Sequence, residues 1–180
     1  MKVLRFACFL GAVLLLSGCL GIPEGVVPVQ GVDTDRYLGK WYEIARLDHS
    51  FERGMSQVSA EYSLRDDGGI RVINRGFKAA DDEWREAEGR AYFVAQPDEG
   101  YLKVSFFGPF YGSYVIFELD KADYQYAFVA GNSREYLWLL ARTPEISDEL
   151  KAEFVHQATE LGFAADELIW VTQSASDRAE

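Results

Sequence analysis

Cysteine and histidine are almost missing from this chain, with 2 of each in 180 residues. So few ligands leave almost nothing from which to build a structural zinc site, a disulfide framework or an iron–sulfur cluster, and no metal or cofactor is expected. Basic charge is also short: 18 Lys and Arg face 29 Asp and Glu, for a net charge of −11. With no basic run to offset it, that charge repels phosphodiester backbones, and nucleic acid is not expected as a partner. The apolar run from Phe6 to Leu16 is short, roughly half of the ~20 residues that cross a bilayer as a helix. Catalytic signatures are lacking too. No Gly-x-Ser-x-Gly elbow, His-Glu-x-x-His pair, phosphate loop or dinucleotide fingerprint occurs. What remains is a chain of 48% hydrophobic and 26% charged residues, ordinary values for one globular domain.

The short apolar run has the size of a signal-peptide core, and Lys2 and Arg5 precede it. It ends in Leu16-Ser17-Gly18-Cys19, which resembles a bacterial lipobox. The resemblance implies cleavage after Gly18, a thioether-linked diacylglycerol on Cys19 and acylation of the new amino group. Three acyl chains hold a protein on a membrane without spanning it. Cys8 leaves with residues 1–18, so the mature chain has no free thiol. Lys2 and Arg5 leave as well and no acid does, which takes the net charge from −11 to −13. Leu20 stands where Asp is the familiar inner-membrane retention signal, so the expected address is the periplasmic side of the outer membrane. Residues 19–36 read as the lipidated cysteine and a Gly- and Pro-containing tether.

From Trp41 onward, short β-rich runs alternate with turn signals. Strands are expected over 40–47, 56–64, 70–77, 84–94, 101–107, 113–119, 124–130 and 136–142. Breakers such as Asp66-Asp67-Gly68-Gly69 and Gln96-Pro97-Asp98-Glu99-Gly100 separate them, and links this short join antiparallel neighbours. The fold class is therefore all-β, an eight-stranded antiparallel up-and-down barrel that removes exposed edges by closing. Ser147 caps one helix, whose apolar positions Leu150, Phe154, Ala158 and Leu161 have helical spacing and whose stop is Gly162. A last strand over 168–172 completes a domain of residues 37–172, and residues 173–180 read as a polar tail.

Closing eight strands leaves an interior for packed side chains or one small ligand. Strand parity assigns Val58, Ala60 and Tyr62, then Leu102, Val104 and Phe106, then Val115 and Phe117 to the inner face, the last two because Glu118 marks the outside. Ala87, Gly89 and Ala91 share a face opposite Glu86, Glu88 and Arg90. Small residues on an inner face favour a lined cavity over a solid core, although Gly89 also suits a bulge.

Leu38-Gly39-Lys40-Trp41-Tyr42-Glu43-Ile44-Ala45-Arg46 resembles the first signature of the lipocalins, the Gly-x-Trp opening their first strand. Asp123-Tyr124 resembles the second, with Ala122 where many members have Thr, and Arg142 matches the third. The resemblance implies that Gly39, Trp41, Asp123, Tyr124 and Arg142 build the closed end of the barrel, with Arg142 across Trp41. The stretches 39–54, 106–112 and 136–144, together with the lipobox, are most similar to the bacterial outer-membrane lipoprotein lipocalins, the Blc family. That implies fatty acid or lysophospholipid binding in an apolar calyx, storage or transport of lipids in the envelope, and a homodimer.

Several residues admit two readings. His49 lies in the loop at the barrel mouth, either solvated or touching a ligand head group, and His156 receives no role. Phe107, Phe110, Tyr111 and Tyr114 surround Gly108-Pro109, either packing a hairpin tip or forming a subunit or membrane contact. The chain is not expected to be an enzyme. An isomerase or cyclase working in the same cavity would need an inward acid–base pair, and parity finds mainly apolar groups there. A structural envelope lipoprotein with a filled barrel is the third reading.

Replacing Cys19 with Ser is expected to abolish palmitate labelling and to release the protein from the membrane fraction. Persistence of both would contradict the lipobox.

Overall fold

The computed structural model describes residues 20–173, and the signal segment with Cys19 lies outside the described residues. A short helix α1 (Thr34–Tyr37) leads into β1 (Gly39–Arg46), β2 (Met55–Leu64), β3 (Ile70–Lys78), β4 (Glu83–Phe93), β5 (Tyr101–Ser105), β6 (Gly112–Leu119), β7 (Tyr126–Ala130) and β8 (Leu137–Ala141). Helix α2 (Asp148–Glu160), a 3-10 turn (Ala165–Glu167) and β9 (Ile169–Trp170) follow. Each of the eight strands pairs antiparallel with the next, and β1 pairs with both β8 and β2. The sheet closes into the expected eight-stranded barrel, with β9 added to the far end of β1.

The closed end is held by local chemistry. Asp33 caps α1 by accepting from Arg36 N, and Trp41 Nε1 donates to the Tyr37 carbonyl at 2.8 Å. Arg142, just past β8, lies 3.9 Å from the centre of the Trp41 ring. Its guanidinium donates to the carbonyls of Arg36, Lys40 and Tyr124, which ties α1, β1 and the β6–β7 turn to β8. Gly39 sits at φ +90°, which a side chain there would strain. Tyr124 receives a hydrogen bond from Asp33 N and lies under Arg36. The carboxylate that organises the β6–β7 turn is Asp120, which accepts from the amides of Ala122, Asp123 and Gln125. Asp123 contributes backbone to this turn, its carbonyl accepting from Gln125 Nε2.

Two apolar cores share one wall. Phe154 and Ala158 of α2 are fully buried against the outer face of the barrel, on Tyr42, Ile44, Phe128 and Leu139. The inner core includes Trp41, Ala60, Tyr62, Ile70, Val72, Ala91, Leu102, Ile116 and Leu140.

This division corrects two expectations. Val115 and Phe117 do not face the barrel interior. They belong to the core beneath α2, where the Phe117 ring lies 6.0 Å from Phe128 and 6.4 Å from Phe163. A register shift between Ile116 and Glu118 is the cause: a bulge puts Phe117 and Glu118 on the same outer face, so Glu118 could not report the side on which Phe117 lies. The inner face of β6 is instead Tyr114, Ile116 and Leu119.

The segment read as a tether is also not one from Leu20 onward. Gly21 N donates to Ser113 Oγ, Val29 N to the Ile116 carbonyl and Val32 N to the Asp98 carbonyl, while Val26 and Val32 are buried. Backbone hydrogen bonds and two buried valines outweigh the flexibility suggested by its glycines.

Arg142→Ala is expected to cost on the order of 1–3 kcal/mol by uncovering the Trp41 face and leaving three carbonyls without their donor. Unfolding midpoints of the unlipidated chain read it, and an unchanged midpoint would contradict the role.

Candidate functional site in the barrel interior

The interior has three levels. Trp41 forms the floor. Above it three phenols meet: Tyr114 OH lies 2.7 Å from Tyr37 OH and 3.0 Å from Tyr62 OH, while the Tyr37 ring lies tilted against Trp41 at 4.8 Å and stacks on Tyr62 at 5.6 Å. Burial pushes Tyr62 up to about 12, and the hydroxyls remain neutral partners of one another. Around them Ile70, Val72, Ala91, Leu102 and Val104 form an apolar sleeve.

The space this sleeve encloses is about 30 Å³, room for about one water rather than the ~300–1,000 Å³ of a small-molecule site. The expected lined cavity is therefore almost filled. The room left by Gly89 is taken by Phe106, whose ring would stand 2.8 Å from a Cβ at that position. Val58, Ala60, Tyr62, Leu102 and Val104 occupy the inner face together. A larger space of about 210 Å³ lies between Arg65, Glu88, Arg90 and the edge of Phe106, but it is open to solvent and mostly polar.

Toward the mouth the interior becomes charged, which strand parity as applied to the other strands did not anticipate. Glu43, Arg46, His49 and Glu52 are each at most 7% exposed. Arg46 Nη1 donates to Glu43 Oε1 at 2.6 Å, and its Nη2 donates to the carbonyls of Glu52 and Met55, fastening the β1–β2 loop down. Glu52 Oε2 lies 3.0 Å from His49 Nε2 and accepts from Trp138 Nε1. His49 is sandwiched by Phe51 at 3.9 Å and Trp138 at 5.2 Å, a buried group and not a solvated loop histidine. Arg46 Nε, His49 Nδ1 and Asn74 Oδ1 are buried without a hydrogen-bond partner.

The signal for this cluster was present in part. Counting by twos from Trp41 carries Glu43 inward; a register shift between Glu43 and Ala45 then turns Arg46 inward in place of Ala45. Burial, and then the neighbouring Glu52 charge, push the Glu43 carboxyl well above its ordinary value despite the opposing Arg46. Burial acts upward on Glu52 too, but the hydrogen bonds from His49 and Trp138 bring it below its ordinary value.

The aromatic group around Gly108-Pro109 splits. Tyr114 joins the interior phenols, and Tyr111 receives a hydrogen bond from Arg90 Nε and lies under Lys103. Phe107 and Phe110 stand in solvent, 79% and 66% exposed.

The lipocalin-like domain profile matches residues 32–173. The chain is a lipocalin. This lipocalin is 60% identical to the outer membrane lipoprotein Blc of Vibrio cholerae over 160 residues, covering 89% of this chain and 94% of the relative. It is 49% identical to the Escherichia coli K12 protein of the same name over 178 residues, covering 98% and 100%. These relatives place it, too, at the outer membrane as a lipoprotein. Insecticyanin from the tobacco hornworm Manduca sexta shares the fold, with TM-score 0.67 at 19% identity over 88% of this chain and 89% of that one.

Glu43 also predicts a pH dependence. Its carboxyl keeps its proton in the folded protein above pH 4.5, where the unfolded chain has lost it. Its contribution to stability is therefore full below that value and is lost as pH rises toward the folded value; Glu52 acts in the opposite direction. Glu43→Gln, which keeps the neutral shape, is expected to flatten the decline in stability between about pH 5 and about pH 8. Denaturant midpoints at the two pH values check this, and an unchanged slope would contradict it.

Proposed function

We propose that this lipocalin, lipidated on Cys19, binds single-chain amphiphiles such as lysophospholipids and fatty acids and carries or stores them in the envelope. The observation that supports it best is the gradient inside one barrel, from an aliphatic sleeve at Leu102 and Val104 to the polar group at Glu43, Arg46, His49 and Glu52 near the mouth. An acyl tail displaces Phe106 and the phenol rings from the sleeve, and the head group meets the polar level. Each methylene contributes roughly 0.8 kcal/mol, so a tail of about ten supports micromolar binding after association costs. A barrel this narrow takes about one chain, so diacyl lipids bind less well than their lyso forms.

An inward acid–base pair, Glu43 beside Glu52 and His49, supplies what an isomerase or cyclase would need. These groups are engaged with Arg46 and Trp138, and a carrier is the reading favoured here. The family resemblance also implies a homodimer, which the mass of the unlipidated chain in solution tests.

The experiment is titration of the delipidated chain with lysophospholipid, fatty acid and diacyl lipid below their micelle concentrations, with products checked by mass spectrometry. Val104→Trp, which overfills the sleeve, is expected to weaken lysophospholipid binding about tenfold or more, or ~1.4 kcal/mol, and to lower the unfolding midpoint while the chain still folds. Wild-type affinity in this variant, or equal binding of the diacyl form, would move the site elsewhere; a converted ligand would favour the enzyme.

A further inference from the structure

The outer wall of the barrel over β4 and β5 holds a group of polar side chains that the interior does not use. Arg90 on β4 stands directly opposite Ser105 on β5, and Tyr92 opposite Lys103, so the four share one face. That face is the outer one, because Leu102 and Val104, which alternate with Lys103 and Ser105, line the sleeve. The solvent-open space of about 210 Å³ is lined on this wall by Arg65, Glu88, Arg90, Ser105 and Gly108.

Two of the cations around this cleft are already matched. Arg65 is paired with Asp67, which also accepts from Tyr92 OH, and Arg71 is paired with Glu88 at 2.6 Å. Arg90 and Lys103, by contrast, form no ion pair among the described residues. Both lie against one phenol: Arg90 Nε donates to Tyr111 OH at 3.0 Å, and Lys103 Nζ is 5.2 Å from the centre of that ring. The Nη2 of Arg90 stands 3.0 Å from where a Cβ on Gly108 would lie, so the β5–β6 loop closes tightly beside the guanidinium. Ser105 is an independent sign. It is 5% exposed, and its hydroxyl is buried without a hydrogen-bond partner. Buried hydroxyls are ordinarily paired, and one left unpaired in the lining of a cleft marks a place for a partner.

We propose that this cleft binds a phosphate-class anion, either the free ion or the monoester head of a lipid, between Arg90, Lys103 and Ser105. The donors fit that class. A planar carboxylate is used up by one guanidinium, whereas a tetrahedral anion accepts from Arg90 and keeps oxygens for the Ser105 hydroxyl and the Lys103 ammonium. Glu88 does not oppose this, because its charge is met by Arg71. The chain as a whole, at −11, gives an anion no long-range attraction, so the contacts decide the affinity. The site lies outside the barrel, and it stands or falls independently of the carrier reading and of the anchor.

The test titrates the mature chain, made soluble by Cys19→Ser, with inorganic phosphate at constant ionic strength and follows the amide resonances of Ser105, Gly108 and Tyr111. Saturable shifts at these amides are expected. Arg90→Gln is expected to weaken binding about tenfold, and Ser105→Ala several-fold. Lys121→Gln, which removes an exposed charge at the β6–β7 turn, is expected to change nothing. Because Ser105→Ala deletes an unpaired hydroxyl, its unfolding midpoint without phosphate is expected to be retained or raised, where a serine with a purely structural role would lower it. Flotation with phosphatidylcholine vesicles, with and without phosphatidic acid, separates the two sources. Arg90-dependent flotation with phosphatidic acid assigns the lipid head; phosphate binding without flotation assigns the free ion. Neither shift nor flotation, wild-type affinity in Arg90→Gln, or an equal loss in Lys121→Gln would overturn the site.

Discussion

Arg142 on Trp41 is the contact from which the rest of the molecule is ordered. One guanidinium covers an indole face at 3.9 Å and donates to three carbonyls from three separate stretches of chain. An eight-stranded sheet has one strand, β1, that must pair with both its sequence neighbour and the most distant strand. That closure brings the ends of a long chain together, and the Trp41–Arg142 contact stabilises it where β1 begins and β8 stops. Because this end is plugged by Trp41, Tyr37 and Tyr62, the other end is left as the mouth.

A barrel closed at one end has two apolar faces to satisfy. The outer wall over β1 and β6–β8 is covered by α2, and the inner face folds upon itself around three phenols. The inner face is the less well matched. It buries Arg46 Nε, His49 Nδ1 and Asn74 Oδ1 without partners and holds a carboxyl, Glu43, at a raised protonation value. Unmet polar groups inside a barrel whose sleeve is filled by aromatic rings are a poor optimum for stability alone. A ligand with an apolar tail and a hydrogen-bonding head would meet both deficits, which is the physical content of the proposed function.

The same geometry places Gly21 at the mouth. Residues 21–32 do not hang from the domain; they run along its outer wall from rim to base and end in α1, which completes the closed end. The described residues thus start where the barrel opens and reach its base through one hydrogen-bonded segment.

The strand pattern, the turns and the helix were legible in the amino-acid order, because each depends on short-range alternation or local turn chemistry; the Trp41–Arg142 pair was expected only through the resemblance to the lipocalins. Leu102, Val104 and Tyr62 were placed correctly by counting in twos. Counting failed wherever the sheet does not keep its period. At the Ile116–Glu118 bulge it sent Phe117 inward when that ring lies beneath α2; at the Glu43–Ala45 bulge Arg46 turns inward in place of Ala45. Composition likewise suggested a free tether at residues 20–36, where the finished barrel offers hydrogen-bond partners on Ile116 and Asp98. The sequence by itself determined an antiparallel barrel followed by one helix, and its resemblance to the lipocalins supplied the plugged base. Only the tertiary structure decided which side chains line the interior, how nearly Phe106 and the phenols fill it, and which end the chain starts from. Bulges, ring positions and long-range backbone pairing are settled by neighbours that come together only when the sheet closes.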